Sequence, residues 1–318
     1  MERTVKKSGR TDKLGKRKAG FFPSVWKYRY FYLMLIPGLL YIIIFHYAPM
    51  AGLAIAFQNF KLTKGIFGSA FNGLANFQTL FRTDMFSRAF RNTVIISMYK
   101  ILFGFPIPII LALFINEIRL VAFKRTVQTI FYMPHFLSWI VMFGLVFNFV
   151  KEMGPINYLI RALGGNTIFF LSDTRYFRGV VVISDIWKEM GWNAIIYLAA
   201  LAGVPNEISE SATIDGASRM KYVLRISLPY IMPTIVIMFL LRIGGILNAG
   251  FEQIYALYNS SVFSVGDIID TYVYRTALTG DFKFAVATAA GMFKSVIACI
   301  LVVATNKLMG RFDQETLF

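Results

Sequence analysis

The sequence predicts an all-α polytopic membrane protein with six transmembrane helices and both termini on the cytoplasmic side. Three observations carry this. Of 318 residues, 57% are hydrophobic and 16% charged, at a mean hydropathy of +0.59. A chain this apolar needs a bilayer to solvate its outer face. Apolar stretches able to cross a hydrocarbon core of about 30 Å recur six times, at 31–47, 89–115, 127–149, 177–202, 230–250 and 284–305. Finally, Lys and Arg favour one set of connecting segments. Residues 1–29, 116–126, 203–229 and 306–318 hold about 18 in about 80 residues, and 48–88, 150–176 and 251–283 hold about 9 in about 101. The positive-inside rule puts the first set in the cytoplasm.

In chain order, residues 1–29 are a basic cytoplasmic tail without apolar periodicity at its start. Residues 30–88 form the first transmembrane helix and an outer loop. The first apolar run is too long for a signal-peptide core and has no small-residue cleavage site after it, so it is read as retained. Residues 89–309 form a five-helix core, and 310–318 a cytoplasmic end. Pro106, Pro108, Gly144, Gly191, Gly244 and Gly245 fall within spans, where neighbouring helices satisfy freed backbone groups and small residues permit close approach. The segments Asn72 to Phe81 and Gly154 to Asn157 mix polar and apolar residues. They read either as interfacial packing or as a surface for an external partner.

Several function classes are excluded or disfavoured. The one cysteine, Cys299, allows no intrachain disulfide, and His46 and His135 stand in separate segments, against a zinc site. There is no P-loop, so the chain binds no ATP through such a loop of its own. The net charge of +16 is concentrated in the tail and accompanies no nucleic-acid-binding motif. It fits anionic lipid better than nucleic acid.

The inner loop at 203–229 is the segment with a motif. Asn206 is a possible helix N-cap, and Glu207 to Asp215 has helical composition. Gly216 interrupts, Ser218 can cap a second helix, and Pro229 is expected to help end it. Within it stand Glu210-Ser211-Ala212, Gly216 after three residues, then Ile226-Ser227-Leu228-Pro229 after nine more. This resembles the E-A-A-x-x-x-G-x9-I-x-L-P loop of binding-protein-dependent ABC importer permeases, with Ser211 for the middle Ala. Residues Ala212 to Ser218, Gly73 to Phe77 and Leu308 to Arg311 are similar to the carbohydrate branch, more narrowly to permeases for complex sugars and polysaccharide fragments. The resemblance covers about residues 30–312.

The resemblance implies a type I ABC importer permease fold and a sugar permease of the bacterial plasma membrane, with no catalytic, cofactor-binding or metal-binding residue on this chain. ATP and Mg would lie on the partner ATPase. The implied partners are a second permease subunit, giving a heterodimer, two ATP-binding subunits and an extracytoplasmic solute-binding protein. It also implies that Glu210, Ala212, Asp215, Gly216, Ile226, Leu228 and Pro229 couple the chain to the ATPase. Ile208, Ala212, Ile214 and Met220 offer an apolar surface for a groove there. Candidates for a sugar path are polar or aromatic residues in or beside spans: Glu189, Trp192, Asn193, Asn248, Glu252 and Tyr255. Helix–helix bonding accounts for the same residues, and Lys100, Arg242 and Lys294 read as structural or snorkelling. The alternative class is a stand-alone secondary transporter or channel.

Overall fold

The computed structural model describes residues 26–280 and 282–310, with side chains to 307. Most of the basic tail (1–25) and the C-terminal 311–318 lie outside the described residues. The chain divides into two units, 1–52 and 53–318.

In the first unit, α1 (Arg29–Ile42) continues through a π-helical turn at Ile43–Tyr47 into Ala48–Met50. Its large apolar side chains are all exposed within this unit. The wide turn precedes Pro49, whose ring would crowd the carbonyl four residues back in a regular α-helix.

The second unit begins with a two-residue antiparallel pair, β1 (Gln58–Asn59) with β2 (Ala70–Phe71). Buried Asn76 on α2 (Ala75–Arg82) fixes it by donating to the Ala56 and Gln58 carbonyls, both at 2.9 Å. Next come α3 (Asp84–Gly104) and α4 (Pro106–Asn116), joined through helical Phe105. The expected third span is broken. α5 (Val121–Tyr132) passes through a 3-10 turn at Met133–Phe136, and α6 (Trp139–Val150) restarts where the Ser138 hydroxyl accepts from Val141 N–H. Pro134 has no N–H to give and Ser138 is a good cap, which accounts for the interruption. After α7 (Pro155–Ala162), α8 (Phe177–Leu201) runs 25 residues, about 38 Å.

α9 (Asn206–Ile214) and α10 (Arg219–Tyr222) form the predicted loop helices. The N-cap of α9 is Pro205, and Asn206 is its first helical residue. The second helix passes Pro229 by one residue and ends at Tyr230. A π turn at Val223–Ser227 admits the proline ring, and helix continues to Tyr230 before a 59° bend into α11 (Met232–Gly244). α11 stops short of the expected 250, and the chain turns over 245–250, where Gly250 takes φ +94°. α12 (Phe251–Leu257), α13 (Ile269–Tyr274) and α14 (Phe284–Gly310) follow among the described residues.

Four helices among the described residues are long and apolar enough to cross a membrane, and a fifth if the bent pair is one span. α8 has the length but carries Arg178, Asp185, Lys188 and Glu189. Among the described residues, three apolar cores hold the second unit. Ile96, Val146, Phe177, Val181 and Ile254 join α3, α6, α8 and α12. Leu80, Phe86, Ile269 and Ala290 join α2, α3, α13 and α14. Ile109, Ala194, Tyr197 and Ile231 join α4, α8 and the bend. Gly191 lets α8 approach α5 so closely that a Cβ there would strike the Phe131 carbonyl.

Candidate functional site

The loop helices are built by local backbone chemistry. α9 ends in a complete Schellman motif: Gly216 N–H donates to the Thr213 carbonyl at 3.1 Å and Ala217 N–H to the Ala212 carbonyl at 2.9 Å. That closure requires the left-handed conformation Gly216 adopts, φ +68°. A Cβ at Gly216 would meet nothing within 4 Å, so conformation rather than space demands the glycine. The next residue but one, Ser218, caps α10 by accepting from Lys221 N–H. The Tyr230 hydroxyl donates to the Gly203 carbonyl at 2.6 Å and ties the two ends of the loop.

Of the motif residues, Glu210, Asp215, Gly216 and Pro229 are exposed, while Ile226 and Leu228 are half-buried. Ala212 is buried against its own chain and is therefore not part of an outward apolar surface; Ile208, Ile214 and Met220 remain exposed. A polar cleft of about 470 Å³ lies behind α9, between Glu117 and Arg119 on one side and Asn206, Thr213 and Arg219 on the other.

The predicted sugar-path residues do not form one site. Along α8, Asp185, Glu189, Asn193 and Tyr197 recur every four residues and line one wall of a cavity of about 230 Å³. Its other walls come from Phe105 and Pro108 at the start of α4 and from Leu241 and Arg242 on α11. Lys188 and Trp192 lie on a second face of α8 and meet the break between α5 and α6. The Trp192 ring stacks on His135 at 4.3 Å and 3° between planes, with Phe136 edge-on. His135 Nδ1 lies 2.8 Å from Glu189 Oε2, and Lys188 donates to the His135 carbonyl. Trp192 is thus a packing partner of the broken helix here, and Asn193 faces the cavity. Glu252 and Tyr255 are exposed on α12, where Tyr255 stacks on Phe251 and meets Tyr274. Asn248 borders a small void beside Lys100 and a separate groove beside Asp270 and Lys294.

Lys100, Lys188, Asp185 and Glu189 are engaged with one another or with neighbouring groups, Arg242 reaches only Asp185 at 3.7 Å, and Arg178 is held by the Val265 carbonyl and Asn92. Lys100, only 4% exposed, donates to Asp185 at 2.8 Å, to the Ala249 carbonyl at 2.9 Å and to Gln253. Gln253 is itself fully buried and donates to the Val181 carbonyl at 2.7 Å and the Ser184 hydroxyl at 2.9 Å. α3, α8 and α12 are therefore bolted together by one polar cluster, and Lys100 does not snorkel. Lys294 pairs with Asp270 at 2.7 Å. Gln253 escaped the sequence reading because nothing local distinguishes it from its exposed neighbour Glu252.

Comparison with known proteins places these features. The profile of the family described as binding-protein-dependent transport system inner membrane component matches residues 104–314. Protein LplB of Bacillus subtilis (strain 168) is 45% identical over 291 residues, 91% of each chain. The polygalacturonan/rhamnogalacturonan transport system permease protein YteP of the same organism is 40% identical over 291 residues, 91% of this chain and 90% of YteP. A chain in the crystal structure of a bacterial alginate ABC transporter, solved in complex with an alginate pentasaccharide-bound periplasmic protein, is 38% identical. It superposes at a TM-score of 0.85, covering 93% of this chain and 99% of that one. The motif loop, the helical membrane fold and these relatives converge: the chain belongs to the binding-protein-dependent transport system inner membrane component family and is a permease subunit of an ABC transporter, not an enzyme.

Proposed function

We propose that this permease carries oligosaccharides released from plant or microbial polysaccharides into a bacterial cell across the plasma membrane. It does so as one half of a heterodimeric membrane core with two ATP-binding subunits and an extracytoplasmic binding protein. Six spans with both termini in the cytoplasm complete the reading, with 89–309 as the core. In this reading α8 is the sixth span, beside the four helices that are apolar and long enough to cross, the first helix among them, and the bent pair. The single observation that carries the substrate class is the 40% identity, over 91% of this chain, to a permease named for polygalacturonan and rhamnogalacturonan transport.

The geometry supplies a route from ATP to sugar. Exposed Ile208, Glu210 and Ile214 on α9 offer an apolar patch with a charged rim to a groove on the ATPase. From Ser218 onward the chain is helical, with one bend, to Gly244. That element begins at the loop and ends with Leu241 and Arg242 in the cavity wall. In this reading a displacement of the loop by closing ATPases reaches the cavity through that bent helical element. ATP and Mg reside on the ATPases in this scheme.

The test is reconstitution of the permease pair, ATPase and binding protein in proteoliposomes. Labelled uronate-containing and neutral oligosaccharides should enter only with ATP inside and binding protein outside. Uptake by this chain alone would instead indicate a self-sufficient transporter.

A further inference from the structure

We propose that Arg242 is a carboxylate-recognition residue in the translocation cavity, so that the imported oligosaccharide is acidic. The inference rests on the sugar-importer reading above and deepens it.

The argument is charge balance. Around the cavity stand three cations, Lys100, Lys188 and Arg242, and two anions, Asp185 and Glu189. The anions are already engaged. Asp185 accepts from Lys100 at 2.8 Å, and Glu189 lies 2.8 Å from His135 and 3.5 Å from Lys188. Arg242 has only the far side of Asp185, at 3.7 Å, and no hydrogen bond among the described residues. Three Lys and Arg side chains against two carboxylates leave an excess of one positive charge.

The excess is located on Arg242. Lys100 and Lys188 are nearly buried and bonded to backbone carbonyls, whereas the Arg242 side chain is 43% exposed in the cavity wall. Behind Arg242 is a void of about 20 Å³ bordered by Ser97, Lys100 and Asn248, with no carboxylate among its described residues. The buried Ser97 hydroxyl there has no partner. A void of that size holds about one water and no counter-anion from this chain. An intramembrane cation facing a cavity marks a path for something that complements it. A guanidinium with its planar fork of donors fits the planar, two-oxygen acceptor of a uronate. Asn193 on the α8 wall suits the hydroxyls of the same sugar.

The experiment compares a uronate trisaccharide with its carboxyl-reduced, neutral counterpart in the reconstituted importer, with the same binding protein throughout. Arg242→Gln should lower acidic import at least tenfold relative to neutral import, and Arg242→Lys should restore a large part of the ratio. An unchanged ratio in Arg242→Gln, or equal loss of both sugars at equal amounts of assembled complex, overturns the proposal. Neutral uptake in either case leaves the sugar-importer reading standing. A wild-type importer that takes up neither sugar overturns both.

Discussion

Replacing Lys100 by Met removes the cation that Asp185, Gln253 and the Ala249 carbonyl share. Taking one partner from a buried ion pair costs about 3–5 kcal/mol, because the other charge is stranded. Each buried acceptor deprived of its donor adds about 1–3 kcal/mol. Two effects oppose this. Methionine is of similar length and fills the volume of the lysine stem, and Arg242, 3.7 Å from Asp185, recovers part of the attraction. The balance is a destabilisation of about 3–5 kcal/mol, which translates into a fall on the order of 5–10 °C in the thermal midpoint. Adding Asp185→Asn removes the stranded charge, so the double variant should regain more than half of the loss. The assay is heat-induced loss of the monodisperse peak of the detergent-purified protein, measured for wild type, both single variants and the double. A double variant no more stable than Lys100→Met, or a Lys100→Met midpoint within about 1 °C of wild type, would refute the account of this cluster.

Gly191→Val places a branched side chain against the Phe131 carbonyl. It should destabilise the chain by at least about 1–3 kcal/mol, visible in the same thermal assay, while Gly144→Val, whose Cβ site is open, should change it little. Trp192→Ala removes the ring stacked on His135 and should lower the yield of assembled complex before it lowers transport per complex; normal assembly with lost transport would return Trp192 to the sugar path. Orientation is read by labelling single cysteines in a Cys299→Ser background. A membrane-impermeant maleimide on intact cells should reach Asn72→Cys and miss Ser218→Cys, and the opposite pattern would invert the topology.

Much of the loop was legible because its chemistry is local. Gly216 announces a helix end, and Ser218 a helix start, within three residues of each other, and both are used as such. Pro229 marked the end of the second helix to within a residue or two, while the π turn at Val223–Ser227 that admits its ring has no signal in a linear rule. The apolar windows at 31–47, 89–115 and 284–305 stand inside helices long and apolar enough to cross a membrane, while Pro134 and Ser138 break the one at 127–149 and glycines 244 and 245 shorten the one at 230–250. In the site, the four-residue ladders on α8 were present in the sequence: 185, 189, 193 and 197 share one face, 188 and 192 another. Which ladder faces the cavity depends on the packing of α4, α5 and α11, which no local pattern encodes. The Lys100–Asp185 pair spans 85 residues and the Lys100–Gln253 pair 153, so neither could be read from spacing. Asn76 and Asn157, in segments that the sequence left between interfacial packing and a partner surface, are buried struts. Asn157 alone donates to the carbonyls of Lys151 and Ile168 and accepts from Ile168 N–H.

The central claim is that the loop at 203–229 transmits ATPase closure to the membrane helices. Gly216→Val tests it most directly. A β-branched residue at φ +68° is strained by about 1–3 kcal/mol, so the Schellman closure opens and α9 loses its set relative to α10. Glu210→Ala, on exposed α9, is the milder companion. The measurement is ATPase recruitment and binding-protein-stimulated ATP hydrolysis in the reconstituted complex, at matched permease levels in the membrane. The account predicts that both fall strongly in Gly216→Val and less in Glu210→Ala, with the binding protein still docking; recruitment and stimulated hydrolysis equal to wild type in Gly216→Val would contradict it.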